Sequence, residues 1–292
     1  MVTITAKEVQ ELRRRTGSGM MECKKALTKT GGDIEKAVQI MRESGLAQAD
    51  KKSSRTASEG MVYIVTSNNN KHSLIIEVNS ETDFVSKGDD FQNFVKNCAK
   101  VALDSDIDNV DDLSGHKIDG TSIEHKRQEL IAKVGENIQI RRIKNIKSPN
   151  GFIFSYLHGI KIGVIIEIDQ NDADLGKSLS MHIAANKPLC VNKNDVDPKL
   201  LEQEKNILIS QAQDSGKPAD IIEKMVQGRL GKYLSEITLL GQNYLIDTEI
   251  KVQKLLKDKK TNVLSFNRLE VGEGIEKKKE NFADEVAAAT IV

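Results

Sequence analysis

The chain has no tryptophan and, across 292 residues, only 4 tyrosines and 7 phenylalanines. Neither charge sign is in excess, since 43 Lys and Arg offset 43 Asp and Glu. A neutral chain poor in aromatics has neither the field nor the stacking surface for nucleic acid, so no direct nucleic-acid ligand is expected. Local basic clusters such as Arg13-Arg14-Arg15 and Lys277-Lys278-Lys279 are flanked by acids and read as solvated helix faces. The 3 cysteines, Cys23, Cys98 and Cys190, are odd in number and far apart, without Cys-x-x-Cys or Cys-His spacing. That excludes a zinc site and a disulfide framework, and reduced, buried thiols are expected. No run approaches the roughly twenty apolar residues that span a bilayer, and no apolar core follows the N-terminal charges. The expectation is a cytoplasmic protein with no membrane partner.

An enzyme needs convergent reactive groups, and few are found. The 5 histidines are scattered, and none stands in a His-x-x-x-His pattern. Gly176-Lys177-Ser178 follows an apolar run as a phosphate-binding loop would, but that motif needs a glycine five residues earlier, where Asn171 stands. Lys177 then reads as an exposed helix residue. Neither a cofactor nor covalent chemistry is expected.

What is present begins with an apolar strand, Leu74-Ile75-Ile76-Glu77-Val78, followed shortly by Thr82-Asp83-Phe84-Val85. A carboxylate and an aromatic ring thus sit side by side at a strand exit, where partner contacts concentrate. Either Asp83 caps a following turn while Phe84 seals the strand end against the core, or the ring enters something else. A second segment, Val164-Ile165-Ile166-Glu167-Ile168-Asp169, repeats the pattern and continues Gln170-Asn171-Asp172-Ala173-Asp174 with no aromatic. If the two are structural repeats, the connection does not require the Asp-Phe pair. That favours contact with a partner.

The chain divides by pattern. In residues 1–50, helical faces carrying Val9 and Leu12, then Ala26 and Leu27, then Ile34, Ala37, Val38 and Met41, are broken by Gly17-Ser18-Gly19 and Gly31-Gly32, with Asp33 as an N-cap. Residues 51–60 read as a flexible polar linker. Residues 61–148 form a first lobe: strands at Met61–Val65 and Ser73–Asn79 around Ser67-Asn68-Asn69-Asn70, a helix burying Phe91, Phe94, Val95, Cys98, Val101 and Ala102, a polar stretch, a helix over Ile123–Val134 and a strand over Ile138–Ile143. Residues 149–272 form a second lobe, with strands at Phe152–Leu157 and Lys161–Ile168 and a helix around Leu179, His182 and Ile183. Inserted at about 197–237 is a helical hairpin, Pro198–Asp214 and Pro218–Gly231, joined at Ser215-Gly216-Lys217, with Leu200, Leu201, Ile207 and Leu208 facing Ile221, Ile222, Met225 and Leu230. A helix over Ile250–Leu256 and a strand over Asn262–Val271 return to the lobe. A C-terminal module, 273–292, carries Phe282, Val286 and Ala289 on one narrow helical stripe. The fold class is α+β.

Ordered blocks along nearly the whole chain resemble the bacterial elongation factor Ts family. They are Leu12-Arg13 with Arg15-Thr16-Gly17 and Gly19-Met20-Met21, Cys23-Lys24-Lys25-Ala26-Leu27, Thr82-Asp83-Phe84-Val85, Lys133-Val134-Gly135-Glu136-Asn137, His158-Gly159, Ser215-Gly216-Lys217-Pro218 and Val271-Gly272-Glu273-Gly274. The resemblance implies a guanine-nucleotide exchange factor that binds elongation factor Tu, GDP-bound and nucleotide-free, in translation elongation. It implies that Thr82, Asp83, Phe84 and Val85 dislodge the partner's magnesium ion. Further partner contacts are implied at Met20, Met21, Lys24, Val134, His158, Phe282 and Val286. The three N-terminal helices resemble a ubiquitin-associated module, and the hairpin looks like the family's coiled-coil arm. Homodimerisation stays open. Alternatives are a nascent-chain or ubiquitin-like adaptor resting on residues 1–50 alone, or a nucleotide-hydrolysing enzyme built on Gly176-Lys177-Ser178.

Overall fold

The computed structural model describes residues 4–213 and 218–276. It is α+β, and its contacts divide the described residues into two compact units: those up to Tyr63 with Ile76–Asn145 and 270–276, and Ile64–Ile75 with those of Ile146–Leu269. The division cuts across strands rather than falling at residue 148. The first hairpin's tip belongs to the second unit, and the end of the last strand to the first.

In the first unit, α1 (Ala6–Thr16) starts at a capping box, where the Thr5 amide donates to the Glu8 carboxylate at 2.7 Å and Glu8 N donates back to the Thr5 hydroxyl at 3.3 Å. Helices α2 (Met20–Lys29) and α3 (Ile34–Lys52) follow, the latter capped by Asp33, whose carboxylate accepts from Lys36 N at 3.0 Å. Their apolar faces meet in a small core of Val9, Leu12, Cys23, Leu27 and Ala37. Lys51 and Lys52, expected in the linker, are the last residues of α3. The remainder is not a loose tether either: Asn137 Nδ2 donates to the carbonyls of Ser53 and Arg55, and Ala57 is buried. A polar run holds one course here because a buried amide takes its carbonyls.

Strands β1 (Glu59–Thr66) and β2 (His72–Ser80) form a hairpin, with Thr66 bonded to Ser73 near the turn and Asn79 to the carbonyl of Glu59 at the open end. The chain continues through α4 (Asp83–Lys87), α5 (Asp89–Asp104), α6 (Val110–Gly115), the strand pair β3 (Lys117–Ile118) and β4 (Thr121–Ser122), α7 (Ile123–Val134) and β5 (Ile138–Lys147). The sheet order is β1-β2-β5. The stretch read as merely polar thus contains a capped helical turn and a hairpin whose Asp119-Gly120 pair has φ of 51° and 81°. An Asp-Gly pair is the signal for such a turn, but strands of two residues show no periodicity. On α5 the buried face is Phe91, Phe94, Val95, Cys98, Ala99 and Ala102, while α3 packs on α7.

In the second unit, β6 (Phe152–His158) pairs antiparallel with β7 (Ile162–Ile168), from Phe152 opposite Ile168 to His158 opposite Ile162. Helix α8 (Ala173–Asn186) covers them, and β8 (Val263–Glu270) completes the order β6-β7-β8. Phe154, Ile166, Leu179, Ile183, Leu239, Val252 and Leu256 share one core. Between them run α9 (Pro198–Gln213), α10 (Ala219–Ile237) and α11 (Val252–Asp258).

The α9–α10 hairpin differs from expectation. It buries Leu208, Ala212 and Val226 with Ile209, Ile222 and Leu230 at their edge, whereas Ile207 and Ile221 face solvent. Helix α10 continues six residues beyond Gly231, because two interior glycines cost a helix about 1 kcal/mol each and packing against α9 and the following turn offsets that. The joint Ser215-Gly216-Lys217 lies outside the described residues, as do Phe282, Val286 and the expected helix around them.

Candidate functional site

Helix α4 has 5 residues, Asp83 to Lys87, too few to form on its own once nucleation is counted. It is held from outside. Thr82 is its N-cap, with φ −121° and ψ 159°, and the Thr82 hydroxyl accepts a long 3.5 Å bond from Val85 N. The cap is therefore Thr82 and not Asp83. Both Thr82 donors engage Glu136: the amide reaches Oε2 at 2.9 Å and the hydroxyl reaches Oε1 at 2.7 Å. Hydrogen bonds to a charged group are worth about 1.5–3 kcal/mol each, enough to fix a marginal turn. A reciprocal strap lies beside this one, where Asn137 N donates to Glu81 Oε1 at 2.6 Å. On the inner side Ser86 is buried, and its hydroxyl donates to the Asp83 carbonyl at 3.0 Å.

The outer side carries the ring. Phe84 is 84% exposed, so it does not seal the strand end against the core. Burying a Phe side chain is worth about 1.5–3 kcal/mol, and this chain forgoes most of it at one of only 7 phenylalanines. Beside it, Asp83 Oδ2 pairs with Lys87 Nζ at 2.6 Å, one helical turn on.

Other residues singled out in the sequence occupy different places. Met20 and Met21 open α2 and are 59% and 66% exposed, with exposed Lys24 one turn later. Val134 ends α7, half-buried, two residues before Glu136. The turn at Gly17 approaches the Lys133 side chain, and Lys133 Nζ pairs with Asp90 of α5 at 2.6 Å. In the first unit, then, an ion pair links the end of α7 to the start of α5, and the α1–α2 turn lies beside the lysine that makes it. His158 belongs to the second unit, exposed at the β6–β7 turn, its Nδ1 3.1 Å from the Tyr156 hydroxyl.

The Gly176-Lys177-Ser178 decoy resolves into packing. These residues lie inside α8, and a Cβ on Gly176 would come within 2.3 Å of the Phe154 ring. The glycine lets helix and sheet approach, and Lys177 is exposed. Cys23 and Cys98 are buried, and burial pushes the Cys98 thiol up to about 12. Cys190 is only partly buried, contrary to expectation, because it sits at the base of the helical hairpin with its thiol donating to the Asn192 carbonyl at 3.2 Å. Among the described residues no group of His, Cys, Asp and Glu could hold a metal ion, and no helix is long and apolar enough to cross a membrane.

Two further residues with several hydrogen-bond partners were given no role from the sequence, one bonded to the α4 turn and one in β2. Glu136 lies 54 positions from Thr82, beyond the reach of any periodicity. Glu77, fully buried in β2, accepts from Arg141, Arg142, Asn79 Nδ2 and Gly272 N. A glutamate inside an otherwise apolar strand is a signal for such a cluster, though not for its partners.

The family model for elongation factor TS matches residues 81–273, starting one residue before the Glu136-bound threonine. The chain belongs to the elongation factor Ts family. Elongation factor Ts of Methylococcus capsulatus is 54% identical over 98% of both chains, and that of Halorhodospira halophila 50% identical over 98% of both. Elongation factor Ts of Legionella pneumophila strain Philadelphia 1 is 48% identical over 99% of both. Membership makes this chain a translation elongation factor.

Proposed function

We infer that this chain promotes release of GDP from elongation factor Tu so that GTP can bind, without covalent chemistry of its own. The observation that carries the reading is Phe84, an exposed ring on a short helical turn braced from below by two hydrogen bonds to Glu136. A braced ring can enter a packed surface without itself giving way. Bound GDP and its magnesium ion are held by phosphate contacts and oxygen ligands. Displacing the elements that supply those ligands, with Phe84 as wedge and Asp83, Thr82 and Val85 around it, weakens both.

Thermodynamically this is negative coupling between two ligands of the GTPase, so GDP weakens factor binding as much as factor weakens GDP binding. One set of contacts typically couples by about 1–3 kcal/mol, and acceleration by several decades needs more than one. The exposed Met20, Met21 and Lys24, the α7 end at Val134 and the His158 turn are the further contacts in this reading. Residues 1–50, with an apolar core of their own, act as a ubiquitin-associated-type docking domain for the same partner. Phe282 and Val286 would dock as a C-terminal helix. Both GDP-bound and nucleotide-free partner are bound, as exchange requires, and self-association of this chain is not needed for it.

The test is release of fluorescent GDP from the cognate elongation factor Tu with and without this protein. Strong acceleration is expected. Unchanged release at saturating protein would defeat the reading.

A further inference from the structure

We propose that Glu136 is the positioning residue of the Phe84 wedge. Its carboxylate takes both donors of Thr82 and so sets the direction in which the helical turn presents the ring. The proposal rests on the reading of Phe84 given above.

Three observations carry it. First, the internal cap of α4 is weak, because Val85 N reaches the Thr82 hydroxyl only at 3.5 Å, whereas the two bonds to Glu136 measure 2.9 and 2.7 Å. Of the bonds made by the Thr82 amide and hydroxyl, the strong ones thus go to Glu136 and not to the turn's own cap, while the Ser80 hydroxyl donates to the Thr82 carbonyl at 2.9 Å on the strand side. Second, the threonine hydroxyl gives its proton to Glu136, which leaves a lone pair for Val85 N and turns the cap the right way round. Third, Glu136 is itself held. Gly135 ends α7 in the left-handed region with its amide on the Ile131 carbonyl at 2.9 Å, and Asn137 is tied to Glu81, Ser53 and Arg55. A carboxylate between two fixed neighbours is a rigid fork, and it grips the residue immediately before Asp83 and Phe84.

Substitutions separate the fork's hydrogen bonds from its charge. Glu136→Gln keeps an acceptor for Thr82 N and offers a donor to the Thr82 hydroxyl, so two bonds survive without charge. Glu136→Asp keeps the charge but is one methylene too short to reach both donors. Glu136→Ala removes everything. The full chain, with each variant, with Phe84→Ala, and with Phe84→Ala combined with Glu136→Ala, is tested for stimulated release of fluorescent GDP from elongation factor Tu at saturating factor. Amide hydrogen exchange of Val85 and Ser86 in the protein alone is measured in parallel.

Glu136→Ala should lower the saturated rate roughly tenfold, as expected for loss of charge-assisted bonds. Glu136→Gln should recover most of that loss, and Glu136→Asp little. The double variant should be no slower than Phe84→Ala, because a misdirected ring and a missing ring fail alike. Exchange of the Val85 and Ser86 amides should quicken at least tenfold in Glu136→Ala while the α7 amides hold. A folded Glu136→Ala with normal release overturns the proposal, and so does a slowdown that multiplies with that of Phe84→Ala. Release that follows charge, normal in Glu136→Asp and slow in Glu136→Gln, also overturns it. If Glu136→Ala does not fold, the Gln and Asp variants decide: Asp slower than Gln supports the fork, and equal rates refute it. Wild-type release by Phe84→Ala would instead defeat the wedge reading itself, leaving Glu136 nothing to position.

Discussion

Two of the passages from sheet to helix, from β2 and from β7, leave nearly the same strand by a different exit. Leu74-Ile75-Ile76-Glu77-Val78 and Val164-Ile165-Ile166-Glu167-Ile168 both place one glutamate among apolar residues. From β7 the chain enters α8 directly, with Asp172 as N-cap accepting from Leu175 N at 3.0 Å. From β2 it makes an additional turn, α4, before Gly88 opens α5. The simpler exit shows that the longer one is not required to join strand to helix. What the additional turn adds is an exposed Phe84 and the Glu136 and Glu81 straps that hold it. The glutamates differ too: Glu77 is fully buried among two arginines and a backbone amide, while Glu167 is half-buried and accepts from Ser265 at 3.0 Å.

The glutamates offer the largest contrast to test. Glu77→Ala leaves Arg141 and Arg142 without their buried partner, and removing one side of such a pair costs about 3–5 kcal/mol. Glu167→Ala removes one partly exposed hydrogen bond and should cost about 0.5–1.5 kcal/mol. Denaturant titration of both variants checks this. Equal losses would mean that the buried cluster contributes no more than an edge contact.

Phe84→Ala comes next, and it should separate function from stability. An anchor of this type is worth about 2–4 kcal/mol, and because the ring is the wedge, stimulated GDP release should fall at least tenfold even at saturating factor. The melting temperature should stay within about 2 °C of wild type, since an exposed ring adds little to the fold. A core-sized loss of roughly 3–5 kcal/mol with normal release would instead place the ring in the architecture.

The same contrast shows what a sequence can disclose. Helix α7 forms over the Ile123–Val134 span that its apolar spacing marks, and the buried face of α5 is close to its periodic one, with Ala99 in place of Val101. These elements are visible because periodicity and end signals act within a few residues of one another. The brace on α4 is not visible, because Glu136 and Thr82 meet only after α5, α6 and α7 have packed. The hairpin α9–α10 misled for a different reason: apolar residues at Ile207, Leu208, Ile209, Ile221 and Ile222 fit more than one stripe, and packing chose Leu208, Ala212 and Val226. Asn171 was enough to rule out phosphate chemistry at Gly176, but that this glycine is the point where α8 touches Phe154 is something only the third dimension supplies.

A smaller effect belongs to the β7 exit. Asp172→Ala removes the cap of α8 and should cost about 1 kcal/mol. At the β2 exit, Thr82→Val removes a cap and one Glu136 bond together, so its cost should be larger. Thermal unfolding of the two variants compares them. If Thr82→Val proves the milder, the additional turn is not held as the bond lengths indicate.

The smallest effect is one of pH, and it too distinguishes the two passages by the helices they lead into. Helix α5 buries Cys98, whose thiol stays protonated throughout the neutral range, whereas α8 buries His182. Burial holds His182 below its ordinary value of 6.5, partly opposed by the hydrogen bond to Gln242 Oε1 at 2.9 Å. Its other ring nitrogen accepts from Leu245 N at 3.1 Å and cannot take a proton without losing that bond. Because the folded value is depressed, the unfolded chain takes up the proton first as pH falls through about 6.5. The stability contributed by neutral His182 is therefore present above that pH and is progressively lost below it. Hydrogen exchange at pH 7.5 and 5.5, corrected for the intrinsic pH dependence, should show α8 amides losing protection in acid while α5 amides do not. His182→Gln, which cannot titrate, should remove the difference. Equal acid sensitivity in both helices, or its persistence in His182→Gln, would assign the effect to other groups.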